Sequence, residues 1–124
     1  MARPDGFELF CFYHLGLDRQ WSYRFRNVNA AARTYGASVD EVKAWLASER
    51  IDPETVTAVP YALAKAHSEA QILALTASTA EIEAFAHRVY DDFRAAQRHM
   101  SPGAGLLSDD DFELDGGAGS DQMN

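Results

Sequence analysis

The chain has 124 residues, of which 47% are apolar, and this is enough to form the core of one ordinary domain. Its single cysteine, Cys11, lies in an apolar run and has no partner for an internal disulfide, which fits a reducing compartment. The first residues show neither the long apolar stretch of a membrane span nor the pattern of a signal peptide. We therefore expect a soluble, cytoplasmic protein.

Negative charge is concentrated near the C-terminus. Six acidic residues near the C-terminus carry most of the formal net charge of -8, and the rest of the chain has a net charge of about -2. These six are Asp109, Asp110, Asp111, Glu113, Asp115 and Asp121. The sequence Ser101 to Gly105 breaks regular structure, and little apolar surface follows it. We predict one compact domain over 1–100 and a disordered, acidic Gly/Asp-rich tail over 101–124. Within that tail, Phe112 and Leu114 either dock into a basic groove, fold back over the domain's own arginines, or only accompany a solubilising segment.

The region 7–26 is unusually aromatic. Residues 7–13 are nearly all apolar, and Trp21, Tyr23 and Phe25 alternate with polar residues, which is the two-residue period of a half-buried strand. A β-hairpin is the first interpretation. Phe7, Phe10, Cys11 and His14 also fall at helical spacing, so a helix stays open.

Three helix signals follow in the middle of the chain. Asn27 or Asn29 is placed to cap a helix that runs to Tyr35, with Gly36 as its left-handed stop. Ser38 and Glu41 form a capping box before a helix that should end near Arg50. Asp52-Pro53-Glu54 then predicts a short helix that ends before Pro60.

Two longer helices complete the predicted fold. Pro60 should open the first, whose packing stripe consists of Leu63, Ala66, Ala70 and Leu73, widened by Ile72 and Leu75. Ser78 and Glu81 form a second capping box, and the helix behind them should run to about His99. The fold class is therefore mainly α: a small helical domain with an N-terminal hairpin or helix.

Residues 28–50 carry the one recognisable motif. A short helix with Ala31 and Ala32 is followed by a tight turn at Gly36 and a second helix with Val42 and Trp45 in the joint core. This segment resembles the helix-turn-helix of bacterial regulators. The resemblance covers about a fifth of the chain.

The resemblance implies a DNA-binding alternative. In that family the second helix enters the major groove, so Ser38, Lys43 and their neighbours Val39, Asp40 and Ala44 would face the bases. The proposed DNA contacts are Ser38, Lys43, Arg24, Arg26 and Arg33. Asp40 and Glu41 disfavour nucleic acid, because two acids in the first turn of the reading helix repel phosphate.

Chemistry-bearing residues are not grouped by any catalytic motif. Glu83, His87 and Asp91 are spaced four apart on one helix, but surrounding charges favour a solvated face with ion pairs over a metal site. No serine or cysteine nucleophile has a histidine beside it in a known motif, and no glycine-rich phosphate loop follows a strand. We expect no enzymatic activity, no cofactor and no metal.

The preferred function is a regulatory adaptor that binds another protein. Tyr, Trp and Arg are frequent energetic anchors of protein interfaces, and the aromatic region is rimmed by arginines. The proposed contacts are Trp21, Tyr23, Arg24, Arg26, Phe112 and Leu114. A receiver-domain protein or a small GTPase of a bacterial signalling or cell-polarity complex would be such a partner, although no residue identifies it, and a homo-oligomer is also compatible with the sequence.

Overall fold

The computed structural model describes residues 3–100, and these residues are mainly helical, as predicted. The N-terminal element is α1, Gly6–Phe10, which continues directly as a π-helical turn over Cys11–Leu15. The later helices are α2 Val28–Tyr35, α3 Val39–Ser48, α4 Pro53–Ala58, α5 Leu63–Thr76 and α6 Thr79–Arg98. The predicted tail, 101–124, lies outside the described residues.

The β-hairpin predicted for the aromatic region is wrong, and the helical alternative is correct for its first half. The side chain of Asp5 accepts a hydrogen bond from the backbone N–H of Glu8 and so caps α1. Gly16 ends the π-helical turn at φ 72°, a conformation that glycine adopts without steric cost. Beyond it, Leu17 and Tyr23 form an isolated antiparallel bridge and not a strand pair.

The helix starts predicted from capping residues are confirmed. Ser38 and Ser78 each form a complete capping box with the glutamate three residues later. Asp52 caps α4, which has proline in its first turn, and Asn27 caps α2. Gly36 ends α2 at φ 63°.

The start of α5 differs from the prediction. Pro60 does not open this helix; short backbone turns join Val59 to Tyr61 and Tyr61 to Leu63, and the helix begins at Leu63. No side chain caps it, because Ala62 occupies the N-cap position. The prediction was therefore three residues early.

The core is centred on α1 and the π-helical turn. Phe10 and Phe12 are fully buried; Phe10 packs against Phe93 of α6 with ring centroids 5.2 Å apart, and Phe12 packs against Tyr35 of α2 at 5.3 Å. The helices α5 and α6 pack against each other and against this centre, whereas α2 contacts the π-helical turn and packs against α3. The α2–α3 pair therefore rests on the aromatic core through α2.

Two helices bury less than the sequence suggested. Val42 and Leu46 of α3 are buried, but Trp45 is only half-buried. The ring centroids of Trp45 and Tyr35 are 6.4 Å apart, so Trp45 lies at the edge of the core. On α5, Ala66 and Ala70 are buried, while Ile72 and Leu75 point away from the packed face. The wider α5 stripe predicted from sequence is therefore wrong at those two positions.

Within residues 3–100, none of the helices has the length and apolar character needed to cross a membrane.

Candidate functional site

The segment 16–27 is a loop organised by Asp18. One carboxylate oxygen of Asp18 accepts the backbone N–H groups of Gln20 at 2.9 Å and Ser22 at 3.0 Å, and the carbonyl of Asp18 accepts the N–H of Trp21 at 3.0 Å. These bonds turn the chain between Leu17 and Tyr23. The loop is therefore held by local hydrogen bonds and not by a sheet.

Trp21 stands at the tip of this loop in an uncommon conformation. Its φ is 62°, in the left-handed region that large side chains rarely adopt. The indole is half-buried and its centroid lies 6.4 Å from that of Phe7 in α1. Trp21, one of the predicted protein contacts, is therefore partly exposed.

Tyr23 is partly buried and contacts α5. Its hydroxyl lies 2.6 Å from Nε2 of His67, which joins the loop to α5. The ring also meets the imidazole edge to face at 5.3 Å. The hydroxyl of Tyr23 is therefore occupied by an internal partner.

The two arginines predicted as protein contacts have different surroundings. Arg24 is exposed. The side chain of Arg26 is only 11% exposed, donates to a carboxylate oxygen of Asp18 at 3.2 Å, and lies 4.6 Å from the centroid of Phe12. Arg26 is therefore a structural residue that ties the loop to the core.

The large exposed apolar side chains of the described region are not among the predicted contacts. In residues 3–100 they are Phe25, Ile72 and Leu75, which are 73%, 61% and 85% exposed. Sequence reasoning placed Ile72 and Leu75 in the packing stripe and did not single out Phe25 as a contact. On the helix, Ile72 and Leu75 lie outside the narrow stripe of Ala66 and Ala70, and this position was the sequence signal that could have predicted their exposure.

The residues of the DNA-binding alternative are only partly available. Ser38 accepts the N–H of Glu41 at 3.1 Å, and Glu41 accepts the N–H of Ser38 at 2.9 Å, so the serine hydroxyl serves as the cap of α3. Lys43 and Arg33 are exposed, as are Asp40 and Glu41. Because Arg26 is also tied internally, two of the five proposed DNA contacts already have structural partners.

Phe112 and Leu114, the remaining proposed protein contacts, lie outside the described residues.

The acid–base groups of the described region form structural contacts. Glu8 accepts Nε of Arg19 at 2.7 Å and the hydroxyl of Tyr35 at 2.9 Å. Burial, and then the bond to Glu8, raise the pKa of Tyr35. This phenol therefore stays protonated and donates to the carboxylate.

The row of Glu83, His87 and Asp91 on α6, for which the sequence favours a solvated face, is exposed. His87 stacks on Phe7 with centroids 4.1 Å apart, and its Nε2 lies 3.8 Å from Glu83. Across residues 3–100, no three His, Cys, Asp or Glu side chains come together in a way that would hold a metal ion.

Comparison with protein-family models, with curated proteins and with solved structures finds no match to this chain.

Proposed function

We propose that the chain is a non-catalytic adaptor that binds a partner protein, with Ile72 and Leu75 of α5 at the contact and Phe25 as a further exposed apolar residue. The observation that carries this proposal is the exposure of Ile72 and Leu75, 61% and 85%, less than one turn apart on one helix. A folded chain gains nothing from apolar side chains in water. Their burial in a complex would be favourable.

The geometry of α5 suits a helix-mediated contact. Ser68, Ile72 and Leu75 follow one another at spacings of four and three residues, so they share one face of the helix. The buried residues Ala66 and Ala70 lie on the other face, toward α6 and the π-helical turn. The outer face is thus presented by a helix that the core holds rigidly, which reduces the entropy lost on binding.

The free energies of burial and association indicate a contact larger than two side chains. Full burial of Ile72 and Leu75 would contribute about 1.5–3 kcal/mol each. Association costs about 4–15 kcal/mol in lost motion, so flanking side chains must contribute as well. Phe25 is one such candidate, since the Tyr23–His67 hydrogen bond joins its segment to α5.

A receiver-domain protein or a small GTPase of a bacterial signalling complex is the kind of partner that we would test first, and this choice rests on no particular residue. A helix-turn-helix regulator that contacts DNA is the alternative. It is supported by the exposure of Arg24, Arg33 and Lys43. Exposed Asp40 at the start of α3 opposes it.

Affinity capture from an extract of the source organism separates these two functions. The full-length chain would be compared with Ile72→Glu and Leu75→Glu, and with Ala44→Glu as a matched change of an exposed apolar residue on α3. The adaptor predicts a specific protein that survives nuclease, is lost with the two α5 variants, and is kept with Ala44→Glu. Nuclease-sensitive capture that only Ala44→Glu removes would contradict it. A chain ending at residue 100 shows whether Phe112 and Leu114 take part.

A further inference from the structure

A second surface of the molecule combines aromatic rings with carboxylates around a cavity. The cavity has a volume of about 210 Å³ and lies between α1 and the loop tip, where Phe7 and Trp21 line it. Drug-sized ligands need about 300–1,000 Å³, so this space fits a single side chain better than a larger molecule. We infer that this cavity is a docking site for an arginine or lysine side chain of a partner protein.

Charge complementarity supports a cationic occupant. Asp5, Glu8 and Asp18 line the cavity, together with one cation, Arg19. Within residues 3–100 the second oxygens of Asp5 and Glu8, Oδ2 and Oε1, accept no hydrogen bond. Both oxygens of Asp18 are already occupied. Asp5 and Glu8 therefore keep the capacity to accept N–H groups from an incoming cation.

The aromatic rings add attraction for the same charge. A guanidinium or ammonium group over an indole or phenyl face is attracted by the ring quadrupole, most strongly by tryptophan. Trp21 is half-buried beside Phe7, with centroids 6.4 Å apart. The cavity wall thus contains aromatic rings beside carboxylates.

Cys11 forms a buried part of the cavity wall. Its side chain lines the cavity, is only 3% exposed, and makes no side-chain hydrogen bond within residues 3–100. Burial, and then the charges of Asp5 and Glu8, raise the pKa of the Cys11 thiol to about 12. The thiol is therefore neutral and adds no charge to the cavity.

An arginine of the chain itself already contacts a carboxylate of this cavity. Nε of Arg19 lies 2.7 Å from Glu8, and its guanidinium carbon is 6.0 Å from the centroid of Tyr35. A chain-borne guanidinium is thus already bound by one carboxylate of this cavity. The C-terminal segment 101–124 contains no Lys, Arg or His, so it cannot supply a second cationic side chain.

This inference rests on the proposed protein-binding role but uses a surface separate from the exposed face of α5. The test therefore uses small probes that do not need the α5 contact, so that failure of one proposal leaves the other standing.

The probes are Nα-acetyl-arginine methylamide and the lysine equivalent, titrated into the full-length chain and followed by NMR. The indole N–H of Trp21 is assigned by its loss in Trp21→Phe. We expect saturable shifts of this signal and of the Cys11 amide. The uncharged Nα-acetyl-norleucine methylamide should bind at least fivefold more weakly.

One matched pair of variants tests the charge. Asp5→Asn removes a carboxylate but keeps the cap of α1, since Asn caps as well as Asp, and it should weaken binding about two- to fivefold. Asp40→Asn makes the same change on exposed α3 and should leave binding unchanged. Equal binding of the norleucine probe, no saturable shift, or an equal effect of both variants would overturn the site. Tighter binding of putrescine than of both amides would assign the cavity to a free polyamine and would also overturn it.

Discussion

The hydroxyl of Tyr23 lies 2.6 Å from Nε2 of His67, and Nδ1 of the same imidazole lies 2.9 Å from the carbonyl oxygen of His14. A carbonyl only accepts, so Nδ1 of His67 carries a hydrogen, and in the neutral form of the ring Nε2 accepts from the tyrosine hydroxyl. Nε2 of His14 in turn donates to the carbonyl of Ile51 at 2.6 Å. This chain of hydrogen bonds joins the loop, α5, the π-helical turn and the end of α3.

Removing the hydroxyl of Tyr23 should destabilise the fold while leaving its packing intact. In Tyr23→Phe the ring remains, but Nε2 of half-buried His67 loses its donor. We expect a loss of about 1–2 kcal/mol in the free energy of unfolding, measured by urea denaturation. Tyr13→Phe is the control, since Tyr13 is also half-buried but makes no side-chain hydrogen bond within residues 3–100, and it should stay within about 0.5 kcal/mol. Equal effects would show that the Tyr23–His67 bond does not hold the loop.

Stability should fall in acid because of His14. Burial is the main cause that lowers the pKa of His14 from its usual 6.5, and the charge of His67 adds to it; the Ile51 carbonyl and Asp52 act in the opposite direction. Between the lowered pKa and 6.5 the unfolded chain binds more protons than the folded one. The contribution of His14 is therefore complete above about pH 6.5 and declines as the pH falls through the lowered pKa.

His14→Gln isolates this effect, because the amide can still donate to the carbonyl of Ile51 but does not titrate. The difference in unfolding free energy between wild type and His14→Gln should be largest near pH 7.5 and should shrink toward pH 5. A difference that stays constant over this range would mean that His14 titrates equally in both states.

Two neighbouring arginines should differ in their effect on stability. Arg26→Met keeps most of the apolar stem over Phe12 but loses the charged bond to Asp18, and should cost about 1.5–3 kcal/mol. Arg24→Met removes an exposed charge and should change stability by less than about 0.5 kcal/mol. Thermal or urea unfolding of both variants checks the contrast, and similar losses would place Arg26 at the surface.

Two leucines provide the corresponding test of apolar burial. Leu46→Ala removes a side chain that is 2% exposed and should cost about 2–5 kcal/mol. Leu75→Ala removes one that is 85% exposed and should stay within about 0.5 kcal/mol. A large loss in Leu75→Ala would mean that α5 packs its outer face against the domain.

The helix boundaries were predictable because their signals are local. Ser38 with Glu41, Ser78 with Glu81, and Gly36 act through hydrogen bonds or backbone angles within a few residues. The same kind of signal exists at Asp5 and Glu8, and using it would have favoured a helix over the predicted hairpin. Alternation in Trp21, Tyr23 and Phe25 indicated extended backbone but could not show that only one bridge forms.

The candidate site was less predictable because it depends on distant residues. Arg26 is internal since Phe12 and Asp18 meet it in space, and no local pattern distinguishes it from Arg24. Ile72 and Leu75 fit the apolar period of a packed helix, yet among residues 3–100 the helix α5 packs through its alanine-rich face and leaves these two side chains exposed. Trp45 was placed in the core by its type and spacing, whereas the α2–α3 pair leaves it half-buried at the edge.

The most direct test of the adaptor function is site-specific photo-crosslinking in the source cells. Benzoylphenylalanine would replace Leu75 on α5, Lys43 on the outer face of α3, or exposed Glu54 on α4 in the full-length chain. We predict a discrete protein adduct from position 75 that disappears when Ile72→Glu is added, with only background from position 54. A nucleic-acid adduct from position 43, with no protein adduct from position 75 above that background, would contradict the adaptor and favour a DNA-binding regulator.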